Sequence, residues 1–141
     1  MTKNIYLNLI MALIFFIPVN GQKSTLEPLD VFKLQYISNP QISPDGNSIL
    51  YERNFKDIMT DSNYSNIWIV NYNGSDSSPI TTGNKKYSQP TWSNDGRKIL
   101  FKSRNDESTE LYLYELEKKS LQMLATVQSD ISNLRWSIDD K

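Results

Sequence analysis

The chain has 141 residues, 38% hydrophobic and 22% charged, with a formal net charge of −1; these are the proportions of a folded globular protein rather than a disordered one. Lys and Arg are scattered and nearly balanced by Asp and Glu, which removes the electrostatic case for nucleic acid or an anionic membrane as partner. With no Cys and no His, the chain can form neither a disulfide nor a thiolate metal site, and it lacks the commonest general base.

Residues 1–21 differ from the rest. Lys3 is followed by an almost unbroken apolar run from Ile5 to Ile17, and then by Val19, Asn20 and Gly21 ahead of Gln22. A positive start, a short apolar core and small residues at its end predict a secretory signal peptide. The apolar core is shorter than the ~20 residues a membrane span needs, so the expectation is an exported chain, periplasmic or extracellular, with no membrane attachment after cleavage. Residues 22–38 read as a lead-in. Within LEPLDVFKLQYIS (26–38), Asp30 can cap one or two helical turns carrying Leu29, Phe32 and Tyr36 on one face, packed against something apolar.

From residue 39 onward the sequence repeats itself. PQISPDGNSILYER (40–53) aligns with PTWSNDGRKILFKS (90–103) at an offset of 50 residues, and LRWSIDDK (134–141) aligns with PTWSNDGR at an offset of 44. The second half of the unit repeats too, NIWIVNYNG (66–74) matching ELYLYELEK (110–118), each followed by a short apolar-polar segment, PITTG (79–83) or LQMLATV (121–127). The six-residue difference in period falls where NFKDIMTDSNYS (54–65) replaces RNDEST (104–109).

Each unit reads as four short strands. Asp45-Gly46 and Asp95-Gly96 predict two-residue hairpin turns, which need positive φ. Ser43 and Ser93 can satisfy turn amides. Pro40 and Pro90, with no amide hydrogen, suit the first residue of a strand. In NIWIV, Ile67 and Ile69 oppose Trp68 and Val70; in ELYLY, Leu111 and Leu113 oppose Tyr112 and Tyr114. Both faces are apolar, so each small sheet must be covered on both sides, with Met59 and Met123 as gap-fillers. ELEKK (115–119) reads as an edge strand defended by charge. Four-stranded antiparallel units of about 45 residues, covered by copies of themselves, describe a β-propeller; a β-sandwich keeps a polar face per sheet and shows no such repeat.

The fold class expected is therefore all-β: two four-stranded antiparallel blades (about 39–83 and 89–127) and the start of a third (131–141), an incomplete propeller over 39–141 following the signal peptide and a short helix. A propeller needs at least four blades, so the chain is expected to be an N-terminal fragment.

PLDVFKLQYISNPQISPDGNSILYE, placed right after the apolar leader, resembles the start of secreted serine peptidases of the prolyl oligopeptidase family, in the acylaminoacyl- and dipeptidyl-peptidase-like branch. The resemblance spans about residues 28–141 and rests on LDVFKL and ISNPQISPDG in that position. It implies a seven- or eight-bladed propeller that restricts access, followed by an α/β-hydrolase domain with a Ser-Asp-His triad, absent here, which cleaves short peptides through an acyl-enzyme. No catalytic, cofactor-binding or metal residue is assigned to this chain. No pair among Gly21, Gly46, Gly74, Gly83 and Gly96 brackets a Gly-x-Ser-x-Gly elbow, and a triad needs His. An alternative is an exported TolB-like propeller acting by protein contacts alone; TolB-like proteins carry an α/β domain ahead of the propeller, for which the lead-in leaves no room. A third is a cell-surface scaffold or adhesin built from such repeats.

Weaker signals are Asp57, Asp61 and Asn63, oxygen ligands without the Gly and terminal Glu of a calcium loop and so read as a solvated loop. Asn63-Tyr64-Ser65 and Asn73-Gly74-Ser75 fit the glycosylation pattern and are read as exposed loops.

Overall fold

The computed structural model describes residues 25–140; the expected signal peptide lies outside the described residues. A 3-10 helix, Pro28–Phe32, leads into eight strands: β1 (Gln35–Ile42), β2 (Ser48–Asp57), β3 (Ser62–Asn71), β4 (Ser78–Pro79), β5 (Tyr87–Trp92), β6 (Lys98–Arg104), β7 (Thr109–Glu115) and β8 (Ser120–Val127). They form two four-stranded sheets of identical topology, β1-β2-β3-β4 and β5-β6-β7-β8, with every strand pair antiparallel. The strand-turn-strand unit read from the sequence is thus folded twice, as two propeller-type blades standing face to face, with no closed ring.

One core lies between the blades. Leu50 and Ile67 of the first blade meet Tyr87, Ile99, Phe101 and Tyr112 of the second. The pairings Leu50↔Ile69 and Tyr51↔Trp68 match Leu100↔Leu113 and Phe101↔Tyr112. Pleating then gives each blade a leading face (Tyr51 and Trp68; Phe101 and Tyr112) and a trailing face (Leu50 and Ile67; Leu100 and Leu111). The leading face of the second blade packs on the trailing face of the first. Phe101 stacks on Tyr112 with ring centroids 5.6 Å apart, and Tyr87 stands edge-on to both at 5.8 and 5.7 Å, geometries that suit the ring quadrupoles. Trp68, on the leading face of the first blade, is half-buried beneath the Arg53 guanidinium, 4.5 Å above its ring. The account of apolar material on both faces holds.

The turns differ from expectation. Ser43 and Ser48 close a four-residue loop, not a two-residue one: Ser43 N–H donates to the Ser48 carbonyl at 2.9 Å, and Gly46 N–H to the Ser43 carbonyl at 2.9 Å. Only Gly46 is left-handed, at φ 77°, whereas a two-residue type I′ turn needs two such residues. The reason lies in the serine and the aspartate. Ser43 Oγ accepts from Ser48 N at 2.9 Å and donates to Asp45 Oδ1 at 2.5 Å, while Asp45 Oδ1 also accepts from Asn47 N at 3.1 Å. The same bonds recur at Ser93, Asp95, Arg97 and Lys98. In the third phrase Ser137 Oγ donates to Asp139 at 2.7 Å, and Asp140, at φ 55°, takes the glycine's place. The hydroxyl bond and the turn amide hold the Asp45 and Asp95 carboxyls below their ordinary range. An added Cβ at Gly46 meets nothing within 4 Å, so Gly46→Ala isolates the backbone strain and is expected to cost about 1–2 kcal/mol, measured by chemical denaturation. Gly96→Ala should cost about the same, because its Cβ would make only an ordinary van der Waals contact, 3.4 Å from the Pro44 ring.

The prolines also sit elsewhere than expected. Pro40 and Pro90 lie inside β1 and β5, where the register slips between Ser38 and Gln41 and between Ser88 and Thr91. Each follows a left-handed residue, Asn39 (φ 48°) or Gln89 (φ 54°), and Asn133 (φ 57°) marks the same place in the third phrase. A bulge, like a strand's first residue, leaves a position with no ladder bond to lose.

Three further expectations are corrected, and the extra length of the first unit is accounted for. The lead-in forms a single 3-10 turn, in which Phe32 is half-buried under the Lys56 ammonium while Leu29 and Tyr36 stay exposed; five residues are too few to present a packed face. Met59 and Met123 are 87% and 52% exposed, so neither fills a core gap. NFKDIMTDSNYS is mostly hairpin, β2 and β3 running three residues longer each than β6 and β7, with Phe55 against Tyr64 at 5.9 Å. ELEKK covers the end of β7 and its turn; the outer edge strand is β8. Of the third unit, 131–136 carries no regular structure.

Candidate functional site

Three side-chain positions join the first unit to the second, and two of them repeat the joint beyond it. Trp92 Nε1 donates to the Gln41 carbonyl at 3.3 Å, and Trp136 Nε1 to the Thr91 carbonyl at 3.2 Å. Gln41 and Thr91 are 50 residues apart and the two tryptophans 44, the offsets of the sequence repeat. Glu52 and Lys102, also 50 apart, form the second joint. The buried Glu52 carboxylate accepts from Ser38 Oγ at 2.8 Å, Asn39 Nδ2 at 2.8 Å and the Gln89 amide of the next blade at 2.7 Å. Buried Lys102 donates to Asp130 Oδ1 at 2.9 Å and to the Ile131 carbonyl. A hydroxyl supplies the third: Ser65 Oγ donates to the Tyr87 carbonyl at 2.6 Å. Its counterpart Thr109 is buried, its hydroxyl without a hydrogen-bond partner among the described residues.

Above these joints the blade ends open into two adjoining clefts. One, of about 400 Å³, lies between the long β2–β3 hairpin, the 84–86 connector and the β6–β7 loop, and its walls include Tyr64, Lys85, Lys86, Arg104 and Glu110. The other, of about 430 Å³, shares Tyr64, Lys86 and Arg104 and adds Glu52, Lys102 and Asp130. Between the blades, Lys85 Nζ donates to Glu110 Oε2 at 2.9 Å and to Tyr112 OH at 3.1 Å, and Tyr112 OH donates to Glu110 Oε2 at 2.7 Å. The Lys85 hydrogen bond, then that from Tyr112, pulls the Glu110 carboxyl below its ordinary range. The Glu110 bond pushes the Lys85 ammonium up, and burial, aided by Glu110, pushes the Tyr112 phenol up.

The pH dependence follows. A carboxyl with a depressed folded pKa stabilises the fold above its unfolded value, near 4.5, and that contribution disappears as pH falls through the folded value. Glu110→Gln should therefore unfold at lower denaturant than the native chain at neutral pH, and the gap should close on acidification below about pH 4; parallel denaturation curves across pH would refute the ion-paired joint.

The clefts hold paired charges and hydroxyls, and among the described residues no group of three or more His, Cys, Asp or Glu could hold a metal ion. Asp57 accepts from Met59 N and Asn84 Nδ2, and Asp61 pairs with Lys56 at 2.7 Å, so two of the three residues named with oxygen ligands are engaged with protein. Asn63 and Asn73 are both exposed, Asn63 on β3 rather than in a loop. Among the described residues no helix is long and apolar enough to cross a membrane. Glu52 and Lys102 went unremarked in the sequence reading, yet each is a charge set into an apolar strand at the same repeat position, and that was a usable signal. The Lys85–Glu110–Tyr112 joint left none, because it links a connector to a strand 25 residues away.

No protein-family model matches the chain. It is 32% identical over 111 residues to the uncharacterized peptidase YuxL of Bacillus subtilis, a match covering 78% of this chain and 17% of that protein. It is 31% identical over 86 residues to dipeptidyl-peptidase 5 of Porphyromonas gingivalis, covering 61% and 13%. Among solved structures, the Pyrococcus horikoshii acylaminoacyl peptidase superposes with a TM-score of 0.65 at 21% identity, over 78% of this chain and 17% of that one. The β-propeller domain of the Trilobed protease from Pyrococcus furiosus gives 0.63 at 24%, over 77% and 32%. TolB from Acinetobacter baumannii gives 0.59 at 20%, over 76% and 25%. The structural likenesses establish propeller blades, and the curated relatives are named as peptidases. The chain is thus similar to the propeller portion of acylaminoacyl- and dipeptidyl-peptidase-like proteins, and it spans less than a fifth of the length of the curated relatives it matches.

Proposed function

We propose that these blades belong to the non-catalytic propeller of an exported serine peptidase of the prolyl oligopeptidase family, and that they limit which substrates reach a hydrolase domain supplied elsewhere in the protein. The observation that carries this reading is the 32% identity to a peptidase across 111 residues, a span too long to lie within a single blade. The joints fit the role. Blades held by buried charges and indole–carbonyl bonds make a stiff wall, and the clefts at their ends expose side chains suited to recognition rather than bond cleavage. The nucleophile, base and oxyanion hole would all come from outside this chain, and short peptides are the substrates that pass such a wall.

The test is covalent labelling of the complete gene product with a fluorophosphonate, beside this 141-residue chain alone. Labelling of the complete product with none of the chain supports the reading, as does turnover that falls steeply with peptide length. A complete product that resists the label while capturing a protein partner would favour the second reading, a TolB-like binding propeller, for which the structural likeness to TolB is the supporting observation. Export is tested by fractionating the producing cells.

A further inference from the structure

The two clefts at the blade ends adjoin, and Tyr64, Lys86 and Arg104 line both. Most of the positive charge around them is spent within the protein. Lys85 pairs with Glu110, and Lys102 and Arg104 both pair with Asp130. Lys86 differs: it is exposed, and among the described residues it makes no ion pair. Its backbone is nonetheless fixed. Ser65 N–H donates to the Lys85 carbonyl at 3.0 Å, Lys86 bridges to Ser65, and Ser65 Oγ holds the Tyr87 carbonyl at 2.6 Å. An unspent cation on an anchored connector, at the seam of two cavities, is placed in advance for a ligand's negative charge. Two neighbours have donors to spare. Arg104 gives Nη1 to Asp130, which leaves most of a five-donor guanidinium free. Ser103 lines the first cleft and is only 3% exposed, yet its hydroxyl has no hydrogen-bond partner among the described residues, where a buried hydroxyl normally finds one.

We propose that the seam between the two clefts binds the carboxylate of a short peptide, with Lys86 as its counter-ion. Arg104 adds its spare N–H donors to the same carboxylate, and the Ser103 hydroxyl is left for a carbonyl of the peptide backbone in the first cleft. The charge balance limits the ligand to a single negative charge. Glu52, Asp106, Glu110 and Asp130 also line the walls, so a dianion such as phosphate would meet as many carboxylates as cations, whereas one carboxylate is matched by Lys86. Asp106 lines the first cleft only and turns further negative charge away from that end. Volumes of about 400 and 430 Å³ are those of small-ligand sites. The peptide class rests on the peptidase reading above; the carboxylate rests on Lys86. An acidic side chain and a free chain end present the same group, and either can be its source.

The test is calorimetric titration of the full chain, at low salt, with three acetylated tetrapeptides: acetyl-Ala-Ala-Ala-Ala with a free carboxylate, acetyl-Ala-Ala-Glu-Ala-amide and acetyl-Ala-Ala-Gln-Ala-amide. At least one of the two carboxylate peptides is expected to bind about tenfold more tightly than the neutral one, and the one preferred identifies the source of the group. Lys86→Met keeps most of the stem and removes the charge. It should erase the preference without moving the denaturation midpoint, because Lys86 has no ion pair to lose, and Lys86→Arg should keep the preference. Equal binding of the three peptides, a preference that survives Lys86→Met, or inorganic phosphate displacing the bound peptide at lower concentration than acetate would each overturn the proposal. Fluorophosphonate labelling of the complete product is read separately. A carboxylate preference without labelling leaves the site standing and removes the hydrolase, and labelling without the preference does the reverse.

Discussion

Replacing Phe101 by alanine is expected to lower stability by about 3–5 kcal/mol, the largest effect of any single truncation among the described residues. The ring is fully buried, stacked on Tyr112 and met edge-on by Tyr87, in the cluster that joins both blades. Truncation would remove apolar burial and two ring contacts at once and leave a cavity that two rigid sheets cannot close. Phe101→Leu, which keeps most of the volume, should cost much less. Leu121→Ala, at a side chain 43% exposed on the outer strand, should cost less than about 1 kcal/mol. Guanidinium unfolding of the three variants gives the comparison, and equal losses for Phe101→Ala and Leu121→Ala would place the core elsewhere.

The second large effect is expected at Glu52. Its carboxylate accepts the Gln89 amide at 2.7 Å, at the left-handed bulge of the next blade. Glu52→Ala takes the acceptor from that N–H at the joint between the blades, along with the donors of Ser38 and Asn39. Losing charge-assisted bonds and leaving a part-buried donor unpaired is expected to cost about 3 kcal/mol. Ser38 and Asn39 can turn toward water, but the backbone amide cannot. Glu52→Gln keeps an acceptor oxygen for Gln89 and should cost about 1–2 kcal/mol. Hydrogen exchange at the Gln89 amide separates this from a general loosening: it should accelerate in Glu52→Ala far more than at amides in the middle of β6.

What was legible in the sequence was whatever recurs. The 50- and 44-residue offsets gave the two blades and the place of Trp92 and Trp136, and the alternation in NIWIV and ELYLY gave two apolar faces. What was misread depended on which of two local solutions the backbone took. Asp-Gly suits a two-residue turn, but Ser43, two residues earlier, bridges to Ser48 and fixes a longer loop. Proline tolerates a strand start and a bulge equally, and the left-handed Asn39 and Gln89 ahead of it are visible only in the backbone. The edge strand was misassigned because charge in ELEKK was taken for edge defence, when the charge belongs to a turn and the true edge is neutral. The interblade polar joints were read least well, since Glu52, Gln89, Lys85 and Glu110 are brought together by stacking rather than by any local pattern.

The face-to-face stacking of two equivalent sheets is tested most directly by a double-mutant cycle between Ile67 on the first blade and Phe101 on the second. Ile67→Val and Phe101→Leu are mild enough to keep the chain folded, and both residues are fully buried in the shared cluster. A coupling energy of about 0.5–3 kcal/mol is the expected result for side chains packed in one core. Losses that add within experimental error would mean that the blades do not share a core.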